Sequence, residues 1–196
     1  MIRTATIERK TRETRIRISV HLDGTGKSRF AMDIPFLAHM LEQVARHRLI
    51  DINIEAAGDI DIDARHTVED TGIVFGQAVA KALGEKIGIA RYGHAYVRLD
   101  ESLSRVFIEL SRRPGSFWHV KFPKEKISAF DTELFQEFFR GFANGAAATV
   151  HMDNLRGENA QHIAESLFKA FGRALRRAVA ANTAGPETVP STKGIL

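Results

Sequence analysis

Two short stretches of this chain place a histidine and a glutamate three residues apart, each near the predicted start of a helix. They comprise Arg65, His66 and Glu69 in the first half and Gln161, His162 and Glu165 in the second. On a helix, positions i and i+4 share a face and position i+1 points about 100° away. Each glutamate therefore faces the residue before the histidine, and each histidine points to another site or another subunit. Imidazole and carboxylate suit a first-row divalent metal, although helix capping or a surface position would give the same pattern.

Other residues add donors for a metal and an anionic substrate. His39 and His151 stand at a predicted helix and at a strand end, and the chain has no cysteine, so a metal would have to use His, Asp and Glu. Arginine binds phosphate through paired hydrogen bonds, and lysine acts as a point charge. For each basic residue alone, a solvated surface position is the alternative. The phosphate candidates are Arg91, Arg113, Lys169, Ser191 and Lys193, and the general acid or base candidates are Glu13, Asp100 and Glu101.

Composition narrows the class of protein. The 196 residues are 44% hydrophobic and 27% charged, which is typical of a soluble globular protein. No apolar run reaches the roughly 18 residues of a membrane helix, and the charged N-terminus does not resemble a signal peptide. The net charge of +4 fits an anionic small substrate. The basic residues are spread along the chain without interleaved aromatics, which argues against nucleic acid. We therefore expect a cytoplasmic protein with neither a membrane nor a nucleic-acid partner.

Periodicity predicts alternating strands and helices that occur twice. The apolar residues Ile16, Ile18 and Val20 alternate with polar ones, as in a half-buried strand. We predict strands at 14–22, 27–34, 50–55, 59–63, 95–99, 105–110, 117–122 and 149–152, and helices at 36–48, 67–83, 132–144 and 161–180.

The second half repeats residues of the first at an offset of 96. This offset aligns His66 with His162, Glu69 with Glu165, Phe75 with Phe171, and Gly76 with Gly172. We interpret the matches as an internal duplication of a unit of about 90 residues. Chance matching of two alanine-rich helices is the alternative. The predicted halves are 1–90 and 91–196, the second with a C-terminal tail, and together they make one compact domain.

Short motifs along essentially the whole chain resemble the imidazoleglycerol-phosphate dehydratase family of histidine biosynthesis. They include DGTG at 23–26, IPFL at 34–37, HTVEDTG at 66–72, RYG at 91–93, LDE at 99–101, RGEN at 156–159 and VPSTKG at 189–194. The resemblance implies an α+β fold of two duplicated halves, each a four-stranded sheet backed by helices. It also implies a 24-subunit shell with active sites between subunits and two Mn(II) ions per site. The implied lyase reaction removes water from imidazole glycerol phosphate to give imidazole acetol phosphate.

The resemblance also assigns roles to single residues. Glu13 matches a carboxylate that transfers a proton. The implied metal ligands are His39, Glu69 and His162 in one site and His66, His151 and Glu165 in the other. The implied substrate and phosphate contacts are Gln43, Arg91, Arg113, Lys169, Ser191 and Lys193.

The chain departs from the family pattern beside the implied metal ligands. The family has two consecutive histidines at each motif, whereas this chain has Arg65 before His66 and Gln161 before His162. The family also has an aspartate where this chain has Ala38. We predict that Arg65 pairs with Glu69 one turn later and opposes a cation there, which would impair activity. Two alternatives are a paralogue that acts on a related azole phosphate with one metal or none, and a non-catalytic subunit that binds a phosphorylated ligand. Two ions per purified chain would favour the dehydratase, and none would favour the binder.

Overall fold

The two halves of the chain fold into the same succession of strands and helices. The computed structural model describes residues 2–46, 50–182 and 191. The first half contains β1 (Thr4–Lys10), β2 (Thr14–His21), β3 (Ser28–Met32), α1 (Pro35–Arg46), β4 (Asp51–Gly58) and α2 (Ala64–Leu83). The second contains β5 (Tyr92–Leu99), β6 (Ser102–Glu109), β7 (Gly115–His119), α3 (Leu134–Ala146), β10 (Thr149–Arg156) and α4 (Ala160–Val179). A short hairpin, β8 (Lys126–Ile127) and β9 (Phe130–Asp131), precedes α3.

Sheet topology confirms the predicted α+β class with two duplicated halves. The first sheet has the order β1-β2-β4-β3 and the second the matching order β5-β6-β10-β7. In each sheet one edge pair is parallel, β3 with β4 and β7 with β10, and the other pairs are antiparallel. The long helices also correspond, because their N-caps Asp63 and Asn159 are separated by the same 96 residues as His66 and His162.

One predicted strand is absent, and the edge strand β1 was not predicted, each for an identifiable reason. Residues 59–63 alternate in polarity, but they form a turn in which Ile62 is 80% exposed and the Asp63 carboxylate accepts a hydrogen bond from the Arg65 N–H at 2.8 Å. Asp63 is the N-cap of the long helix α2, and this capping outweighs the alternation of apolar and polar residues at 59–63. Strand β1 was not predicted, because Ala5 is its one buried residue and an edge strand with so little burial shows little periodicity.

The helices exchange partners between the halves. Helix α1 packs against α4, and α3 packs against α2, so each short helix covers the long helix of the other half. Phenylalanines fill the junction: the Phe142 ring on α3 lies 5.3 Å from Phe75 on α2 and 4.8 Å from Phe171 on α4. Phe75 and Phe171 are the residues that the duplication aligns, so α3 joins equivalent points of both halves.

Helix α3 approaches α2 so closely that side chains are excluded from the crossing. A Cβ built on any of the glycines at the contact would meet the backbone of the partner helix. At Gly141, for example, the Cβ would lie 2.5 Å from the Glu69 carbonyl oxygen. The glycines are Gly72 and Gly76 on α2 and Gly141 and Gly145 on α3. Within the described ranges, no helix is long and apolar enough to cross a membrane.

We predict that Gly141→Ala destabilises the protein. The added methyl group would press on backbone rather than on a movable side chain, so we expect a loss of roughly 1–3 kcal/mol in the free energy of unfolding. Urea unfolding followed by circular dichroism measures it. Gln136→Ala, on the exposed face of the same helix, is the control and should change stability little. Equal stability of the two variants would show that the helices can separate freely.

Candidate functional site

His162 is held at the first turn of α4 by a carboxylate from the turn between β5 and β6. The Glu101 Oε2 lies 2.7 Å from the His162 Nδ1. The other oxygen of Glu101 accepts hydrogen bonds from the backbone N–H groups of Glu158 and Asn159, at 3.1 and 2.9 Å. Asn159 caps the helix by accepting from two backbone N–H groups of the first turn. The strand turn and the helix start are therefore joined through one side chain.

The hydrogen bonds set the charge of this pair. The hydrogen bond from His162, with those from the Asn159 and Glu158 backbones, lowers the pKa of Glu101 to about 2. The bond to Glu101 also raises the pKa of His162. Glu101 is thus ionised throughout the neutral range, which suits it to hold a proton on the imidazole. Its neighbour Asp100 is exposed, with its carboxylate 3.8 Å from the His162 Nε2.

His66 meets carboxylates at the equivalent place in the first half. Its Nδ1 lies 3.6 Å from the Glu13 Oε2, in the turn between β1 and β2, and 3.5 Å from the Asp59 Oδ1, just after β4. Ligand atoms of all three residues lie within 4.8 Å of one another. The His66 Nδ1 and the Asp59 Oδ1 are shielded from solvent and make no hydrogen bond within the described part of the chain. Two carboxylates and an imidazole are a donor set that a divalent ion accepts.

Asp59 was not singled out from the sequence. The only signal was a carboxylate that ends a strand ahead of the histidine motif, and the alternation of Ile60 and Ile62 concealed that strand end.

The other predicted metal ligands have separate neighbours within one chain. Glu69 lies 3.8 Å from the Arg140 guanidinium, and Glu165 pairs with Lys169 at 2.7 Å. The His151 ring stacks on Phe117 at 4.4 Å, whereas His39 is exposed on α1. Among the described residues, the group of Glu13, Asp59 and His66 is the only one whose ligand atoms gather within 4.8 Å. Neither predicted set of three ligands is gathered this closely in a single chain.

The prediction that Arg65 pairs with Glu69 is wrong. The Arg65 guanidinium lies 2.9 Å from the Glu137 carboxylate on α3, and Glu137 also binds Arg140, which approaches Glu69 in turn. The Glu137 side chain is only 11% exposed, against 35% for Glu69. A buried carboxylate needs a cation more than an exposed one does, and the close helix crossing brings it within reach of Arg65. Glu137 and Arg140 had no signal in the sequence beyond an acid within a phenylalanine-rich helix.

Two of the predicted phosphate contacts meet at one carboxylate. Arg91 lies 2.5 Å and Arg113 3.7 Å from the same oxygen of Glu109. Lys86, which no pattern in the sequence indicates, is buried beside them with its Nζ 3.5 Å from the Leu110 carbonyl oxygen. Burial, followed by the nearby charges of Arg112 and Arg91, lowers the pKa of Lys86. The cluster is rich in positive charge, with Glu109 between the guanidiniums of Arg91 and Arg113.

The remaining predicted substrate contacts lie elsewhere. The Arg91 N–H donates to the Ala178 carbonyl oxygen near the end of α4. Lys169 precedes Ala178 by nine residues, which is about 13 Å along the helix axis. Gln43 is half-buried on α1. Ser191 is among the described residues, and Lys193 lies outside them.

Known proteins are similar to this chain along essentially its whole length. The family model described as imidazoleglycerol-phosphate dehydratase matches residues 32–175. Two relatives of that name are each 60% identical to this chain. The alignment with the protein from Methylococcus capsulatus covers 99% of this chain and 98% of that protein. The alignment with the protein from Thiobacillus denitrificans covers 100% of both.

Solved structures agree with these sequence matches. The imidazoleglycerol-phosphate dehydratase from Staphylococcus aureus aligns with a TM-score of 0.82 at 38% identity, covering 91% of this chain and 99% of that one. The protein from Pyrococcus furiosus, solved in complex with (S)-C348, aligns with a TM-score of 0.84 at 36% identity, covering 97% and 100%. The similarity therefore includes both halves and the turns that carry the carboxylates.

We predict that Arg65 and Glu137 are energetically coupled. Glu137→Gln removes the negative charge between two guanidiniums. We expect the free energy of unfolding to fall by about 1–3 kcal/mol, because a hydrogen-bonded carboxylate is lost. The loss is limited because both arginine side chains are almost half exposed to solvent. Urea unfolding of Arg65→Ala, Glu137→Gln and the double variant forms a double-mutant cycle. Glu133→Gln, at the exposed start of α3, is the control. Strictly additive losses would contradict the pairing.

Proposed function

Since the chain belongs to the imidazoleglycerol-phosphate dehydratase family, we propose that it is a hydro-lyase of histidine biosynthesis that converts imidazole glycerol phosphate to imidazole acetol phosphate. The observation that carries the proposal is the 60% identity to proteins of this name over the full chain. The two histidine–carboxylate clusters support it, because they repeat at equivalent points of both halves. The positive net charge suits the anionic substrate, and we place the protein in the cytoplasm.

We propose that divalent ions, Mn(II) by family resemblance, bind to this chain. Imidazole nitrogens and carboxylate oxygens are donors that such ions accept, and the shielded Nδ1 of His66 and Oδ1 of Asp59 support a cation nearby. A bound ion would act as a Lewis acid on the substrate's imidazole ring and ease the loss of the adjacent proton. The residues proposed to hold the ions are His39, His66, Glu69, His151, His162 and Glu165.

The other residues of the site would bind the substrate and move its proton. Glu13 has a side chain that is 56% exposed beside His66, so it can reach a substrate and exchange a proton with it. Arg91 and Arg113 converge on one carboxylate, and we propose that a phosphate group competes with Glu109 for these guanidiniums. Lys169, Gln43, Ser191 and Lys193 are proposed to complete substrate binding from other parts of the assembly.

We propose that the protein is a homo-oligomer with sites between subunits, a 24-mer by family resemblance. An aromatic strip crosses the second sheet, with Tyr92 6.2 Å from Phe107, Phe107 6.3 Å from His151, and His151 stacked on Phe117. Tyr92 and Phe117 are nearly half exposed in the single chain. Exposed apolar patches commonly mark interfaces. Because His151 stands within this strip and the proposed ligands do not gather in one chain, a second copy is the natural source of the missing donors.

The alternative of a non-catalytic binder is not favoured. Full-length identity to the enzymes is high, and Arg65 is paired with Glu137 rather than with the proposed ligand Glu69. The half-repeats at 1–90 and 91–196 remain our proposed division of the chain.

We predict that the purified protein supplied with Mn²⁺ converts imidazole glycerol phosphate, and that Arg65→His with Gln161→His raises both metal content and turnover. Each added imidazole would face Glu69 or Glu165 one turn away and supply a further donor. Elemental analysis counts the ions, and ³¹P NMR follows product. Gln136→His, on an exposed helix face, controls for an added histidine. Absence of product from the unmodified chain under all metal conditions would overturn the dehydratase assignment.

We predict a particle far larger than one chain of 21.8 kDa. Light scattering coupled to gel filtration should give roughly twenty-four times that mass if the shell forms with closed symmetry. Phe117→Glu would place charge in the aromatic strip and should yield smaller species. A mass of about 21.8 kDa for the unmodified chain would exclude shared sites.

A further inference from the structure

The two oxygens of Glu101 are committed to different groups. One accepts from the backbone N–H groups of Glu158 and Asn159, and the other faces the His162 Nδ1 at 2.7 Å. Backbone N–H groups can only donate, so the first oxygen must always be an acceptor. The main chain at the start of α4, and not the imidazole, therefore fixes the orientation of this carboxylate.

The carboxylate also determines which nitrogen of the ring carries the proton. The ionised Glu101 can only accept, so the His162 Nδ1 must be the donor. In the neutral ring the Nε2 then keeps a lone pair, and it lies on the side of Asp100, 3.8 Å from that exposed carboxylate. A metal binds imidazole through such a lone pair. We propose that Glu101 is a positioning residue that acts through His162, holding it in the Nδ1–H tautomer with Nε2 presented to a cation.

The first half provides an internal comparison. The His66 Nδ1 faces Glu13 and Asp59 at 3.6 and 3.5 Å, both longer than a hydrogen bond. The Glu13 N–H, for its part, donates to the Thr11 hydroxyl in the turn. His66 therefore has carboxylates nearby but none hydrogen-bonded to it, whereas His162 has one that the backbone orients. The inference applies to His162 alone, and it rests on the proposed function insofar as His162 is a metal ligand.

The test is Glu101→Gln, which keeps the shape of the side chain but changes one acceptor into a donor. The amide oxygen must turn to the two backbone N–H groups, so the NH₂ group faces the His162 Nδ1. That nitrogen must then accept, and the proton moves to Nε2, where it blocks ligation. Isothermal titration of the full-length oligomer with Mn²⁺ should show affinity reduced about 10–100-fold, the usual effect of losing such a partner.

A second variant separates positioning from a merely structural role. Glu101→Ala removes the acceptor but leaves the ring free to adopt either tautomer, so its affinity for Mn²⁺ should lie between those of the unmodified protein and Glu101→Gln. If Glu101 only braced the turn, alanine would be at least as harmful as glutamine. Glu158→Gln, an exposed neighbour, is the matched control and should bind Mn²⁺ normally. Light scattering and circular dichroism confirm that each variant folds and assembles.

The tautomer itself can be measured without metal. Solid-state ¹⁵N NMR of histidine-labelled, metal-free protein, at alkaline pH where the ring is neutral, should assign Nδ1–H to His162 and Nε2–H to the glutamine variant. An unchanged tautomer, or unchanged Mn²⁺ affinity, in Glu101→Gln would overturn the inference. If the unmodified protein bound no Mn²⁺, the metal part of the proposed function would fail, and the NMR result would still decide the role of Glu101.

Discussion

The close contact between α2 and α3 is the constraint on which most of the structure depends. Four glycines remove side chains from the crossing, so that the two backbones touch. Helix α3 can then present Phe142 to both Phe75 on α2 and Phe171 on α4. Burial of these rings contributes far more than the glycines lose in helix propensity, which is about 1 kcal/mol each.

The same contact explains the charges around Arg65. Because the helices are so near, Glu137 on α3 reaches the start of α2 and pairs with the Arg65 guanidinium. The sequence of α2 alone would predict a pair between Arg65 and Glu69 instead. Alternating charges then run from Arg65 through Glu137 and Arg140 to Glu69. The positive charge of Arg65, which on α2 alone would face Glu69, is therefore paired with a carboxylate of the neighbouring helix.

Much of the fold could be predicted from the sequence, because duplication leaves a direct trace. The offset that aligns His66 with His162 also aligns the N-caps and the start of each long helix, and the two sheets share one strand order. For the site, the sequence predicted which kinds of residue take part but not which of them contact one another. Of the partners of the two histidines, Asp59 lies in the turn before α2, whereas Glu101 lies in the distant turn between β5 and β6. The importance of Glu137 depends on a helix crossing that no local pattern records. Strand β1 escaped prediction because a strand with one buried residue has no periodicity to detect.

The exchange of short helices between the halves has a consequence for how such a core can be assembled. A chain consisting of the first half alone would leave the glycine face of α2 uncovered, and only a second molecule could cover it. The extent of that pairing would depend on protein concentration. Linking both halves in one polypeptide holds the two partners at a high and constant effective concentration. The packing of α3 on α2 therefore forms within one chain and does not depend on protein concentration.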